Sequence, residues 1–348
     1  MTVRPVPLRD STVTMAHGGG GRAMRDFVAD VFLPAFDNPL LAVLEDQARL
    51  DLGSLAAPGA RLAFTTDGFV VRPLEFPGGD IGRLAVCGTV NDLAVGGAVP
   101  LALSCAVVIA EGFDIALLRR IVGSMRAAAA EAGVAIVTGD TKVVERGAAD
   151  GLFITTAGVG VIPPGRLLAA SQARPGDVVL VNGPLGDHGA AVMAARGDLA
   201  LETTLQSDCR PLHGLMAALL AAAPGTRCAR DATRGGVAAV LNEIAVAADA
   251  GISIDETRIP VRPAVAGVCE ILGLDPLYLA NEGTAVAIVP PNEATAALAA
   301  WRAHPYGLEA RVIGTVTDRL RGRVTLRTGF GGERLVDLLV GDQLPRIC

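Results

Sequence analysis

Two layered α+β domains in series are the fold the sequence predicts, and three observations predict it. Apolar runs alternate with glycine-rich turns from Arg61 to Gly160. A break carrying Ser171, Pro175 and Gly176 follows at Leu168–Asp177, and the alternation then resumes as far as Leu339. The 348 residues are 51% apolar but only 3% aromatic, so two cores can form and Ala, Val, Leu and Ile must fill them, as in packed layers of strands and helices.

In chain order, His17-Gly18-Gly19-Gly20-Gly21-Arg22 precedes an amphipathic stretch that predicts a helix to about Phe32. Such a glycine run either brings backbone N–H groups to a phosphate or serves as a linker; it matches neither G-x-x-x-x-G-K-[ST] nor G-x-G-x-x-G. Strands are predicted over Leu62–Thr66, Leu101–Ala110, Ala135–Val137 and Leu152–Val159, and helices over Ile81–Val95 and Asp114–Ala132, the second stopped by Gly133. After the break a strand begins at Val178–Asn182. Helices follow near Ala190–Ala195, Pro211–Ala222, Gly236–Ala248 and Ala264–Leu272, with strands near Ala285–Val289, Ala310–Val316 and Arg323–Arg327. The domains this implies are 1–165 and 166–339, with a tail, 340–348, that has neither helical nor strand period.

The net charge of −6, with no basic stretch, excludes a nucleic-acid footprint. The longest apolar run, Val99–Ala110, is closed by Glu111 and falls short of the roughly 20 residues that span a bilayer, which predicts no membrane segment. The opening Met-Thr-Val-Arg-Pro lacks a signal-peptide core, and the expected location is the cytoplasm. Six cysteines, at 87, 105, 209, 228, 269 and 348, include no C-x-x-C pair; the five internal ones read as small buried hydrophobes.

Chemistry is suggested by carboxylates expected at strand ends or helix starts: Asp46, Asp67, Asp92, Asp140 and Asp231. A hard cation such as Mg2+ takes one or two carboxylates plus phosphate oxygens, so converging acids with Lys142 fit a nucleotide triphosphate. Each aspartate taken singly also reads as an N-cap or turn residue. Glu282, after the apolar Leu277–Ala280, is either a carboxylate with a raised pKa or part of a surface turn. Cys348 is not a prenylation site, since position 345, fourth from the end, is Pro. It reads as a swinging nucleophile, or as part of a segment that docks into a partner's groove.

Taken together, Thr65-Thr66-Asp67, Val90-Asn91-Asp92-Leu93-Ala94, Gly139-Asp140-Thr141-Lys142-Val143, Asp231-Ala232-Thr233-Arg234-Gly235-Gly236, Asn281-Glu282-Gly283 and Pro345-Arg346-Ile347-Cys348 resemble the HypE family of hydrogenase maturation proteins. That family lies in the superfamily of aminoimidazole ribonucleotide synthetase, selenophosphate synthetase and thiamine monophosphate kinase. The aspartate motifs point to the superfamily, and the cysteine-ended tail to the HypE branch. The resemblance implies a PurM-like α+β architecture: an N-terminal α/β domain that dimerises into a β-barrel, with ATP near the interface, and a C-terminal α+β domain.

It further implies that Asp46, Asp67, Asp92 and Asp231 hold Mg2+ and phosphate, that Asn91, Asp140 and Lys142 contact the nucleotide, and that Glu282 and Lys142 assist a reaction on Cys348. That reaction is ATP-dependent dehydration of an S-carbamoyl group to thiocyanate, the source of a cyanide ligand for a NiFe centre. The implied partners are the carbamoyltransferase HypF and a HypC–HypD iron scaffold. Glu45-Asp46-Gln47-Ala48 stands where an Asp-Asp-Ala-Ala-like stretch is expected. Two rivals stay open: a small-molecule kinase or amide-activating ligase of the same superfamily, and a non-catalytic scaffold.

Overall fold

The computed structural model describes residues 8–19, 22–43, 47–50, 52–53, 57–196, 204–339 and 347–348. Helix α1, Arg22–Phe27, runs on through a wider turn to Phe32. Strands β1 (Arg61–Phe69), β4 (Val99–Ala110), β5 (Ala135–Val144) and β6 (Leu152–Ile162) form a four-stranded sheet in the order β1-β6-β4-β5, in which only β4 and β5 run parallel. A small hairpin, β2 (Glu75–Phe76) with β3 (Gly79–Asp80), leads into α2.

Two helices cover one face of this sheet. Helix α2, Ile81–Val95, is capped by Asp80, which accepts from the Arg83 N–H at 2.8 Å. Helix α3, Ile115–Ala132, is capped by Asp114 and ends on left-handed Gly133, as the sequence predicts. Val86 and Val90 of α2, Leu118, Ile121 and Met125 of α3, and Leu103 and Ile109 of β4 belong to one core.

The other sheet has seven strands in the order β13-β12-β9-β11-β7-β10-β8. They are β7 (Val178–Val181), β8 (Cys228–Asp231), β9 (Gly251–Asp255), β10 (Ala285–Val289), β11 (Arg311–Thr317), β12 (Val324–Arg327) and β13 (Glu333–Leu335). The helices of this half are α4 (Asp187–Ala195), α5 (His213–Ala222), α6 (Gly236–Ala248), α7 (Pro263–Leu272) and α8 (Ala294–Ala303). Both faces of the sheet are covered. Val286 and Ile288 of β10 pack with Val237, Leu241 and Ile244 of α6, while Ala285, Ala287 and Val289 pack with Leu215 and Leu219 of α5 and Trp301 of α8. Strand β10 is therefore buried at every position and shows no alternation in sequence.

The two halves are welded rather than loosely linked. Val192, Cys209, Ala280 and Ile347 complete the core of the first sheet, and Ala94 and Val95 of α2 enter the core around α5.

Three expectations are corrected. The strand expected over Ala135–Val137 continues to Val144, because Thr-Lys-Val-Val sustains pairing with β4. Of the described carboxylates only Asp231 stands at a strand end as expected: Asp67 and Asp140 lie inside strands and Asp92 near the end of α2, and the capping aspartates are Asp80 and Asp114 instead. Helix α8 and strands β8, β9 and β13 were not expected. Their segments are Ala-rich or short, so no period distinguishes them.

Candidate active site

The site forms where α2 lies between β1 and β8. Thr65 and Asp67 are two residues apart on β1 and face α2. The Thr65 hydroxyl donates to Asp92 Oδ2 at 2.8 Å, which joins strand to helix, and Asp67 Oδ1 accepts the Gly68 N–H at 2.8 Å. Asp231 ends β8 opposite Ala285.

The three carboxyls oppose one another. Burial raises Asp67, with Asp92 adding to the effect, and burial raises Asp92, against the pull of Thr65 and Arg230. Asp231 is pushed up to about 7 by burial and then by the charges of Asp92 and Asp67. A bound cation would relieve this excess of negative charge. Among the described residues no three of His, Cys, Asp and Glu could hold a metal by themselves, so Mg2+ would share these carboxylates with phosphate oxygens.

Glu282 is only 2% exposed, which removes the surface-turn reading. Burial, followed by Asp208, Asp231 and Asp67, holds its carboxyl well above the usual range, and its Oε1 has no hydrogen-bond partner. An unsatisfied buried acid is costly to keep and marks a functional position. Cys348 packs against the first core, and its thiol shares this environment. Burial pushes the thiol up, the charges of Glu282, Asp67 and Asp231 add to the shift, and Arg234 opposes it. The five internal cysteines are all buried and free.

Asn91, grouped by its motif with the nucleotide contacts, is committed to the backbone. Its Nδ2 donates to the carbonyls of Arg210 (3.1 Å) and Glu282 (3.3 Å), and its Oδ1 accepts the Leu212 N–H at 2.7 Å. It therefore sets the position of Glu282.

Asp140 and Lys142 stand elsewhere within the single chain. Register pairs Asp140 with Ala106 and Lys142 with Val108, whereas Asp67 pairs with Thr156 and Thr156 with Cys105. The two sets thus occupy opposite faces of the sheet. Lys142 and Asp140 form an exposed ion pair at 3.0 Å. Beside β5 lies a cavity of about 220 Å³ lined mainly by apolar side chains, among them Met24, Phe32, Phe36 and Ile136, with Asp140 at its wall.

Of the glycine run, Gly18 abuts Val143, where a Cβ would come within 2.7 Å of the Val143 side chain, so close packing accounts for it. Gly20, Gly21, Asp46 and residues 340–346 lie outside the described residues.

Sequence reasoning missed three residues. Asp208 accepts the backbone N–H groups of Glu282 (2.9 Å) and Gly283 (3.0 Å) and the Thr284 hydroxyl (3.0 Å). Nothing in Gln206-Ser207-Asp208-Cys209 signals this, because the partners are some 75 residues away in sequence. Arg234 supplies positive charge beside Asp67 and Cys348, and its place in Asp231-Ala232-Thr233-Arg234 could have flagged it. His188 is fully buried beneath Ile347, and the Gly186-Asp187-His188-Gly189 turn at a helix start was its available signal.

Comparison with known proteins places these features in a family. Residues 44–162 match the N-terminal domain, and residues 174–327 the C-terminal domain, of AIR synthase related proteins. The carbamoyl dehydratase HypE of Rhodobacter capsulatus is 64% identical over 341 residues, covering 98% of this chain and 99% of that one. A crystal structure of the hydrogenase maturation protein HypE in complex with ATP superposes with a TM-score of 0.91 at 46% identity, covering 96% of this chain and 99% of that chain. A HypE–HypF complex gives a TM-score of 0.78 at 46% identity, over 92% and 100% of the two chains. This chain belongs to the HypE carbamoyl dehydratase family, whose two domains are those of the AIR synthase related proteins.

Proposed function

We propose that this chain dehydrates a carbamoyl group carried on the Cys348 sulfur to a thiocyanate at the expense of ATP, supplying cyanide for the NiFe centre in hydrogenase maturation. The observation that carries the reading is that Cys348, packed on the first core, lies within electrostatic reach of the buried Glu282 and of Asp67 and Asp231. The ATP-bound relative supports the nucleotide, and the relative bound to HypF supports a HypF-type carbamoyltransferase as the donor of the carbamoyl group. The kinase and scaffold alternatives are not favoured.

The chemistry follows from the groups. In S–C(=O)NH2 the oxygen attacks the γ-phosphoryl of ATP while Glu282 removes one N–H proton, giving an S–C(=NH)–O-phosphate and ADP. The remaining N–H proton is then lost as the C–O bond breaks, leaving S–C≡N and inorganic phosphate. Mg2+, held by Asp67, Asp92 and Asp231 with phosphate oxygens, would neutralise phosphoryl charge and draw Glu282 toward its carboxylate form. Arg234 and Asn91 act directly on the geometry, the first by charge and the second by fixing the Glu282 backbone. A docked thiol whose pKa is raised keeps its proton, so loading with carbamoyl belongs to an undocked position of the segment.

The site is completed by a second copy of the chain. On β1, an edge strand, Leu62 is 64% and Phe64 69% exposed, on the same face as Asp140 and Lys142. Pairing of that face between two copies would bury these side chains, close the barrel and bring Asp140 and Lys142 toward nucleotide, with the apolar cavity beside β5 as the base pocket. Asp46 joins the metal ligands in this reading. The domain division at 165 is supported by the two separate sheets and by the gap between the two family matches. Among the described residues no helix is long and apolar enough to cross a membrane. We assign the cytoplasm as location and a HypC–HypD-type iron scaffold as acceptor of the cyanide. Cys348→Ser tests the core of this: without the sulfur neither the S-carbamoyl group nor thiocyanate should form while ATP still binds, and continued thiocyanate formation would end the assignment.

A further inference from the structure

His188, the second residue of α4, touches none of the acids assigned above, yet it makes the described polar contact to the residue before Cys348. Its Nε2 lies 2.9 Å from the Ile347 carbonyl oxygen and its Nδ1 2.8 Å from the Ser207 hydroxyl. A carbonyl can only accept, so Nε2 bears the proton; Nδ1 is then bare, and Ser207 donates to it. The Ser207 oxygen accepts in turn the Cys209 N–H at 3.1 Å. Every proton in this chain of contacts has one direction. The imidazole is neutral there, since burial lowers its pKa against the opposing pull of Asp208.

The surroundings are closely packed. The edge of Phe76 meets the His188 ring at a centroid distance of 5.4 Å, and the Ile347 side chain, 3% exposed, lies in the same core as Phe76, Val192 and Ala280. The loop that ends the relay at Cys209 also carries Asp208, which holds the Glu282 backbone. One loop therefore sets both the acid and the seat of the sulfur.

We propose that His188 is the positioning residue of the reaction: it docks the Ile347–Cys348 segment by its main-chain carbonyl, with Ser207 fixing the tautomer that can do so. Ile347 fills its pocket by shape, whereas the His188 bond sets the register, one peptide unit from the thiol. This rests on the carbamoyl dehydratase reading for its kinetic consequence but not for its structural one, and the test separates them.

The full chain is loaded at Cys348 with cyanate, whose isocyanic acid adds S–H across its C=N bond to give the S-carbamoyl group. Single-turnover water loss is then followed by mass after adding ATP and Mg2+. His188→Leu should slow that step about 10- to 100-fold, the cost of one buried hydrogen bond, with the ATP KM unchanged. His188→Gln places an amide donor near the Nε2 position and should recover most of the rate, while Ser207→Ala should fall between. In parallel, the unloaded proteins are alkylated with iodoacetamide and Cys348 is read by peptide mass. His188→Leu should be modified about 10-fold faster than wild type, because the docked thiol is both shielded and protonated. Equal alkylation and turnover in His188→Leu, a matching rise in ATP KM, or a Gln variant no better than Leu would overturn the proposal. Faster alkylation in His188→Leu from a wild type that loses no water with ATP would uphold the dock and refute the dehydratase reading.

Discussion

Replacing Asp231 by Asn removes one of three mutually repelling carboxylates while keeping the shape of the side chain. In the folded chain Asp231 has a pKa of about 7 against an ordinary 3.8, so its folded form holds a proton that the unfolded form has lost. Each tenfold gain in proton affinity on folding corresponds to about 1.4 kcal/mol, giving a ceiling of about 4 kcal/mol that relaxation and counterions reduce. Because the folded pKa is raised, wild-type stability associated with this group is present below 3.8 and lost as pH climbs to about 7. The Asn variant does not titrate, so its advantage should be near zero at the acid end of that window, grow through it and level off above it. Urea unfolding in chelator reports this through Trp301, the single tryptophan and fully buried. Adding ATP with Mg2+ should shrink the advantage, since the cation binds wild type at the carboxylates the variant lacks. A stability difference that is flat with pH, or that favours wild type in the alkaline range without metal, would refute the electrostatic account of the site.

Other predictions follow from single contacts. Glu282→Gln should leave the carbamoylated chain trapped, and should be the more stable protein at neutral pH because the raised pKa of Glu282 makes its charged form unfavourable; normal water loss in this variant, followed by mass, would remove Glu282 as base. Phe64→Asp on the exposed face of β1 should convert a dimer to monomer in light scattering and lower turnover, each buried aromatic there being worth roughly 1.5–3 kcal/mol. Gly139→Ala would set a Cβ 2.2 Å from the Cys105 carbonyl inside the β4–β5 pair, and should destabilise the chain by about 1–3 kcal/mol in denaturant unfolding, without the pH dependence of the Asp231 variant.

Helices α2 and α3 and the long strands were legible because their signals are local: an amphipathic period with a C′ glycine for α3, and apolar runs bounded by turns for β4 and β6. Asp67, Asp92, Asp231 and Glu282 could be singled out as motif residues, yet their mutual opposition could not. It arises from β1, α2 and β8 crossing, and crossing is a property of packing. The placement of Asp140 and Lys142 on the far face was hidden for a related reason: it depends on β5 continuing past Val137, and so on pairing with β4. Asp208 and His188 act on partners far away in sequence, Glu282 and Ile347, and no window of residues contains both ends of either contact.

The most direct measurement is the intact mass of the chain carbamoylated at Cys348, followed over time with ATP and Mg2+ alongside ADP release. The account predicts loss of one water from the Cys348 peptide for each ADP formed, and neither in the Glu282→Gln protein. ADP released without water loss at Cys348, or water lost without ATP, would contradict it.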